Sequence, residues 1–175
     1  MKRLILGLTA GALTLLCGCK PVQLPAWETV SDTVVEAGSV WDGTYTITVG
    51  VPADAVEQDA DSEVQKVYRH ASGEYELYTR VFLASGVESA IRQLTGCEME
   101  QLCVMETTRF DMPEYRFTWY QPEGETGKLC RADMVMDGEV CYAVVFAVEE
   151  SVGGKYNQLI TEVFSTFGLY YDEGI

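Results

Sequence analysis

Residues 128–148 read KLCRADMVM, then DG, then EVCYAVVFAV. Asp137-Gly138 between two alternating apolar runs signals an antiparallel hairpin closed by a two-residue type I′ turn. With those two residues in the turn, Met136 faces Glu139, Cys130 faces Val145 and Cys141 faces Met134. Both thiols then share a face with Ala132, Met134, Ala143 and Val145, four residues apart along the ladder. At about 3.4 Å per residue the offset is about 13 Å, while a disulfide tolerates roughly 7 Å between Cα atoms. Cys130 and Cys141 are therefore not expected to bond to each other.

Moving outward, the same pattern repeats. Leu102 to Phe110 and Glu114 to Tyr120 predict a second hairpin around Asp111, Met112 and Pro113. Val64 to His70 and Tyr75 to Leu83 predict a third, turning at Ala71 to Gly73. Tyr45, Ile47, Val49 and Val51 alternate with threonines as a half-buried strand does, and Pro52 ends the run. Helical spacing appears twice. Ser85, with Glu88 three residues on, predicts a capped helix carrying Val87, Ile91 and Leu94 and closed by Gly96. Tyr156, Leu159, Ile160, Val163, Phe164 and Phe167 fall on one face of a C-terminal amphipathic helix stopped by Gly168. The fold class is α+β: an antiparallel sheet of about six or seven strands with helices packed on it.

The stretch from Thr44 to Leu169 resembles the Mog1/PsbP-like fold of many small bacterial lipoproteins. The likeness lies in the 137–138 hairpin leading through Tyr142-Ala143-Val144-Val145-Phe146 into a helix with Phe164 and Phe167. It implies a binding or assembly role and brings no site residue with it.

The N-terminus carries a targeting signal. Lys2 and Arg3 precede an apolar run from Leu4 to Leu16, too short to span a bilayer, which needs about 20 residues. Leu16-Cys17-Gly18-Cys19 resembles a lipobox, with the small Gly18 before the lipid-accepting thiol of Cys19; choosing Cys17 instead would put bulky Leu16 at the cleavage position. The expected organisation is a signal peptide over 1–18, a lipidated tether over 19–26 and a single globular domain over 27–175. Multiple acyl chains on Cys19 would hold the protein stably on the extracytoplasmic face of a bacterial membrane.

Charge narrows the partners. The chain carries 12 bases and 27 acids, a net charge of −15. Removing residues 1–18 leaves ten bases against 27 acids, or −17. That opposes nucleic-acid binding, which needs lysines and arginines to neutralise phosphates. The expected partners are the membrane, through Cys19, and another envelope protein.

Motifs for chemistry are sparse. His70 is the only histidine and sits by a hairpin turn, with no Gly-x-Ser-x-Gly sequence to serve it. No Cys-x-x-Cys pair occurs beyond Cys19, and neither a metal nor another cofactor is expected. Gly153-Gly154-Lys155 has Glu149 where a phosphate loop needs glycine and Tyr156 where it needs a hydroxyl residue, so it reads as a helix start. The acidic run Asp54, Glu57, Asp59, Asp61 and Glu63 fails as a calcium loop, because Val64 and His70 occupy the glycine and bidentate glutamate positions. It reads as a solvated loop. Cys97 and Cys103 flank a short loop and form a candidate disulfide; the alternative is that all four later cysteines are apolar filler. Tyr115, Phe117 and Trp119 predict a core face, while Tyr68, Tyr78 and Tyr120 could make a ligand platform. No catalytic residue is expected. The expected function is a non-catalytic binding or assembly factor. Its alternatives are a small-ligand or cation-binding lipoprotein, or an accessory subunit of an envelope enzyme.

Overall fold

The computed structural model describes residues 27–28, 45–60 and 65–171; the expected lipidation site at Cys19 and the tether to residue 26 lie outside them. Eleven strands are present among these residues: β1 (Trp27–Glu28), β2 (Tyr45–Thr48), β3 (Val51–Pro52), β4 (Ala55–Gln58), β5 (Gln65–His70), β6 (Tyr75–Leu83), β7 (Met105–Arg109), β8 (Met112–Glu123), β9 (Thr126–Asp137), β10 (Val140–Glu149) and β11 (Gly168–Tyr171). Helix α1 spans Val87–Thr95 and α2 spans Asn157–Ser165. Seven strands form one antiparallel sheet in the order β4-β5-β6-β10-β9-β8-β7.

Strand β10 lies near the centre of this sheet, and Cys141 through Val148 are all buried. A run apolar at every position is what burial on both faces demands. On one face, α1 brings Ala90 and Ile91 against Phe82, Phe117, Trp119, Cys130, Met134, Cys141 and Val145. On the other, α2 and the β2–β11 pair bring Leu159, Val163, Phe164 and Ile47 against Leu77, Val144 and Phe146. The domain is α+β, as expected, with helices on both faces of the large sheet.

Two turns differ from expectation. Asp137 belongs to β9 and pairs with Val140, so the turn residues are Gly138 and Glu139. Gly138 has φ 59°, and Glu139 is not among the residues with positive φ. That is the type II′ pattern, with glycine first; a type I′ turn on 137–138 would have required Asp137 to turn left-handed as well. The register changes by two, so Cys130 faces Ala147 and Cys141 faces Met136. An even change preserves the faces, and both thiols remain buried on the α1 side. The second hairpin turns on Phe110 and Asp111, at φ 54° and 62°, a type I′ geometry that no glycine announces. Pro113 consequently sits within β8, opposite Thr108.

Three smaller corrections follow from local bonding. Gly86, and not Ser85, is the α1 N-cap and makes no side-chain cap. Residues 55–58 of the acidic run form β4 on the edge of the sheet. The C-terminal helix is shorter than its apolar periodicity: a 3-10 turn fills Glu150–Tyr156, and after α2 the chain enters β11.

Candidate functional site

The face covered by α2 can be followed rung by rung. Tyr120, Leu129 and Val148 lie side by side across β8, β9 and β10, followed by Thr118, Arg131 and Phe146, then Arg116, Asp133 and Val144. Each step is two residues along every strand, so these side chains share one face. Helix α2 is only nine residues long. It leaves an open cleft of about 740 Å³ between Asn157, Ile160 and Thr161 on its flank, Gly153 and Gly154 before it, and the first two rungs. Leu129 and Tyr120 are nearly half exposed on its rim. The Tyr120 ring lies across Gly127: a Cβ there would stand 2.1 Å from the Tyr120 hydroxyl.

Beyond the cleft the same face becomes ionic. Glu114 and Asp133 are almost wholly buried, among three guanidinium groups. Arg109 Nε donates to Glu114 Oε1 at 2.5 Å, and Arg116 Nη2 donates to Glu114 Oε2 at 2.8 Å. Arg109 Nη1 also reaches the Phe167 carbonyl at 2.7 Å. Asp133 is less well served, with Arg116 Nε at 3.5 Å and Arg131 Nη2 at 3.6 Å, and its Oδ1 has no hydrogen bond among the described residues. Burial pushes the Asp133 carboxyl above its ordinary range, against the lowering pull of Arg131 and Arg116. The Arg131 guanidinium rests on the Phe164 ring, 4.4 Å from its centroid.

His70 belongs to a different constellation, around Tyr75, which pairs with Val148 of the first rung. Its Nδ1 lies 2.7 Å from Ser72 Oγ and accepts the Ser72 N–H at 3.3 Å, so a neutral ring carries its proton on Nε2, 3.4 Å from Asp54 Oδ2. Tyr75 donates its hydroxyl to Asp54. Serine, histidine and aspartate are thus in sequence, but Ser72 is held by its own turn. Its neighbour Gly73 donates its N–H to the His70 carbonyl at 2.8 Å, rather than to an oxyanion position. His70 stacks on Tyr75 with ring centroids 5.0 Å apart, and Tyr75 meets Tyr156 at the same distance. The cluster fastens the β5–β6 turn to the segment before α2.

The remaining sequence candidates separate. Cys97 and Cys103 are not bonded to each other in the structure and flank the 3-10 turn Met99–Gln101, whose loop the Glu98–Gln101 capping box organises. Cys130 and Cys141 are free and buried, and desolvation pushes both thiols up to about 12. Tyr78 packs with the α1-side core, while Tyr68 belongs to the α2-side core, so the proposed tyrosine platform does not form. Among the described residues, no three histidine, cysteine or acidic side chains are placed to hold a metal. The Arg109–Glu114–Arg116–Arg131–Asp133 cluster went unread. Its signal was the alternation Glu-x-Arg in β8 and Arg-x-Asp in β9, which becomes a cluster only when the two strands are set in register.

A seven-stranded antiparallel sheet with a helix on each face supports a Mog1/PsbP-like fold. The chain is similar to the solution structure of cyanobacterial PsbP (CyanoP) from Synechocystis sp. PCC 6803, with a TM-score of 0.51 and 12% identity over 77% of this chain and 97% of that one. It is also similar to a crystal structure from Bacteroides thetaiotaomicron VPI-5482, with a TM-score of 0.50, 16% identity and 77% of this chain matched to 51% of that one. The Saccharomyces cerevisiae Ran-binding protein Mog1p aligns at a TM-score of 0.49 and 12% identity, over 70% of this chain and 89% of that one. No family model and no curated protein sequence matches this chain.

Proposed function

We propose that this chain is a non-catalytic binding factor of the bacterial cell envelope, held to a membrane through Cys19, and that it engages another envelope component at the cleft beside α2. The observation carrying this reading is the cleft itself. It is concave and largely apolar, with Arg131, Thr118 and Asn157 on its wall, the composition by which binding sites combine affinity with orientation. The basic, apolar and lipobox segments of residues 1–19 support the location, and the fold supports a scaffold that carries binding surfaces.

A photo-crosslinking residue in place of Tyr120, in intact cells, tests this. The expected result is a discrete adduct with an envelope component, absent when the same residue replaces Val56, an exposed side chain on edge strand β4. Equal labelling from both positions, or none, would overturn the assignment. So would a hydrolytic or transfer activity lost on replacing His70 or one carboxylate while the fold survives.

A further inference from the structure

The cleft is graded along its length. At one end Tyr120, Leu129 and Val148 form an apolar rung; at the next, Thr118, Arg131 and Phe146 place a guanidinium beside a hydroxyl and an aromatic ring. Ile160 of α2 adds to the apolar side. The polarity changes from hydrocarbon to cation within one repeat of the strand, about 7 Å.

Arg131 stands apart from the other two guanidiniums of the cluster. Arg109 and Arg116 each donate a hydrogen bond to Glu114. Arg131 is held against Phe164 and, among the described residues, pairs with Asp133 alone, at 3.6 Å, longer than a hydrogen bond. One third of its side chain is exposed, and it lines the cleft. Three guanidiniums face two carboxyl groups, so the cluster keeps at least one positive charge in a chain whose net charge is −15. Arg131 is the one guanidinium residue of the cluster that also lines the cleft. A planar guanidinium with free donors is suited to carboxylate or phosphate oxygens.

Size separates a small ligand from a protein segment. The volume of about 740 Å³ falls within the range of small-molecule sites, roughly 300–1,000 Å³. An amphipathic helix or a docked strand would need a groove running the length of several turns or residues. Within the reading that this cleft is the binding site, we propose that its ligand is a small amphiphile with one anionic head group. The head sits on Arg131 and Thr118, and the apolar body lies along Tyr120, Leu129 and Ile160. Carboxylate and phosphate heads share this chemistry.

The test uses the full lipidated chain in phosphatidylcholine vesicles, with 8-anilinonaphthalene-1-sulfonate as the fluorescent probe and protein-free vesicles as background. Saturable binding is expected. Decanoate or decyl phosphate should displace the probe at free concentrations at least tenfold below those needed for decanol, and the better competitor identifies the head group. Arg131→Met should weaken probe binding at least tenfold and remove the advantage over decanol. Gly154→Trp should abolish binding of all of them; Gly154 lines the cleft and a Cβ there meets nothing within 4 Å, so the added side chain displaces no neighbour and leaves the ionic cluster in place. Thr118→Val, which leaves the charges intact, should weaken decanoate and decyl phosphate more than decanol. Absence of saturable binding, equal displacement by decanol, or wild-type affinity in Arg131→Met or Gly154→Trp would overturn the proposal. A Tyr120 adduct in cells together with failed probe binding would overturn the ligand class alone. Probe binding without an adduct would overturn the envelope role.

Discussion

Glu114 anchors the buried ionic end of the α2-side face. Its side chain is 1% exposed and receives Arg109 at 2.5 Å and Arg116 at 2.8 Å. Glu114→Ala removes the better satisfied of the two buried carboxylates and leaves three guanidiniums facing Asp133 alone. Breaking a buried ion pair from one side costs about 3–5 kcal/mol, since the abandoned charges stay partly desolvated. For a domain of this size, each kcal/mol corresponds to roughly 2–4 °C in Tm, so a fall of about 6–20 °C is expected. Urea unfolding followed by tryptophan fluorescence and circular dichroism measures the loss directly. Glu114→Leu combined with Arg109→Met should cost less than the sum of the single substitutions by at least about 1 kcal/mol, because both charges leave together. Stability of Glu114→Ala within about 1 kcal/mol of the parent would refute the reasoning and show that the arginines find solvent without moving β7 or β8.

In the folded protein, Cys97 and Cys103 should react with iodoacetamide much faster than Cys130 and Cys141, whose thiols burial holds up to about 12; mass-spectrometric peptide mapping reads this out, and a Cys130–Cys141 crosslink would contradict the register. Lys155 and Tyr156 hold the Glu74 carboxyl down to about 2. A depressed carboxyl contributes its stability above the ordinary value of about 4.5, and that stability is lost as pH falls towards about 2. Tyr156→Phe and Lys155→Met should each raise the Glu74 midpoint in a carboxyl NMR titration. Cys19→Ser should abolish incorporation of labelled fatty acid and leave an unprocessed precursor; continued labelling would disprove the lipobox assignment.

How far the fold could be read from sequence differed from element to element. The strands around residue 138 were legible because glycine and apolar alternation coincide there. The turn centre was misplaced by one residue, yet sidedness survived, since moving a two-residue turn by one changes the register by two and side-chain direction has period two. The Phe110–Asp111 turn was illegible because a bulky aromatic rarely adopts positive φ, and Pro113 drew attention away from it. Strand β4 was hidden by its setting in an acidic run, as glutamate is depleted in strands and gives no apolar alternation. The site was the least legible part. Arg131, Asp133, Glu114 and Arg116 look individually like exposed strand positions, and only the pairing of β8 with β9 and the short reach of α2 reveal which are covered.

Arg109 gives the fold a latch. One guanidinium ties edge strand β7 to buried Glu114 and to the Phe167 carbonyl, 58 residues further along the chain, and its cation also lies 5.1 Å from the centre of the Phe167 ring. The sheet margin and the last turn after α2 share this one side chain, so loosening either removes contacts from the other. Water that reaches the margin also weakens the helix end, where the Phe164 ring carries the guanidinium of cleft-lining Arg131.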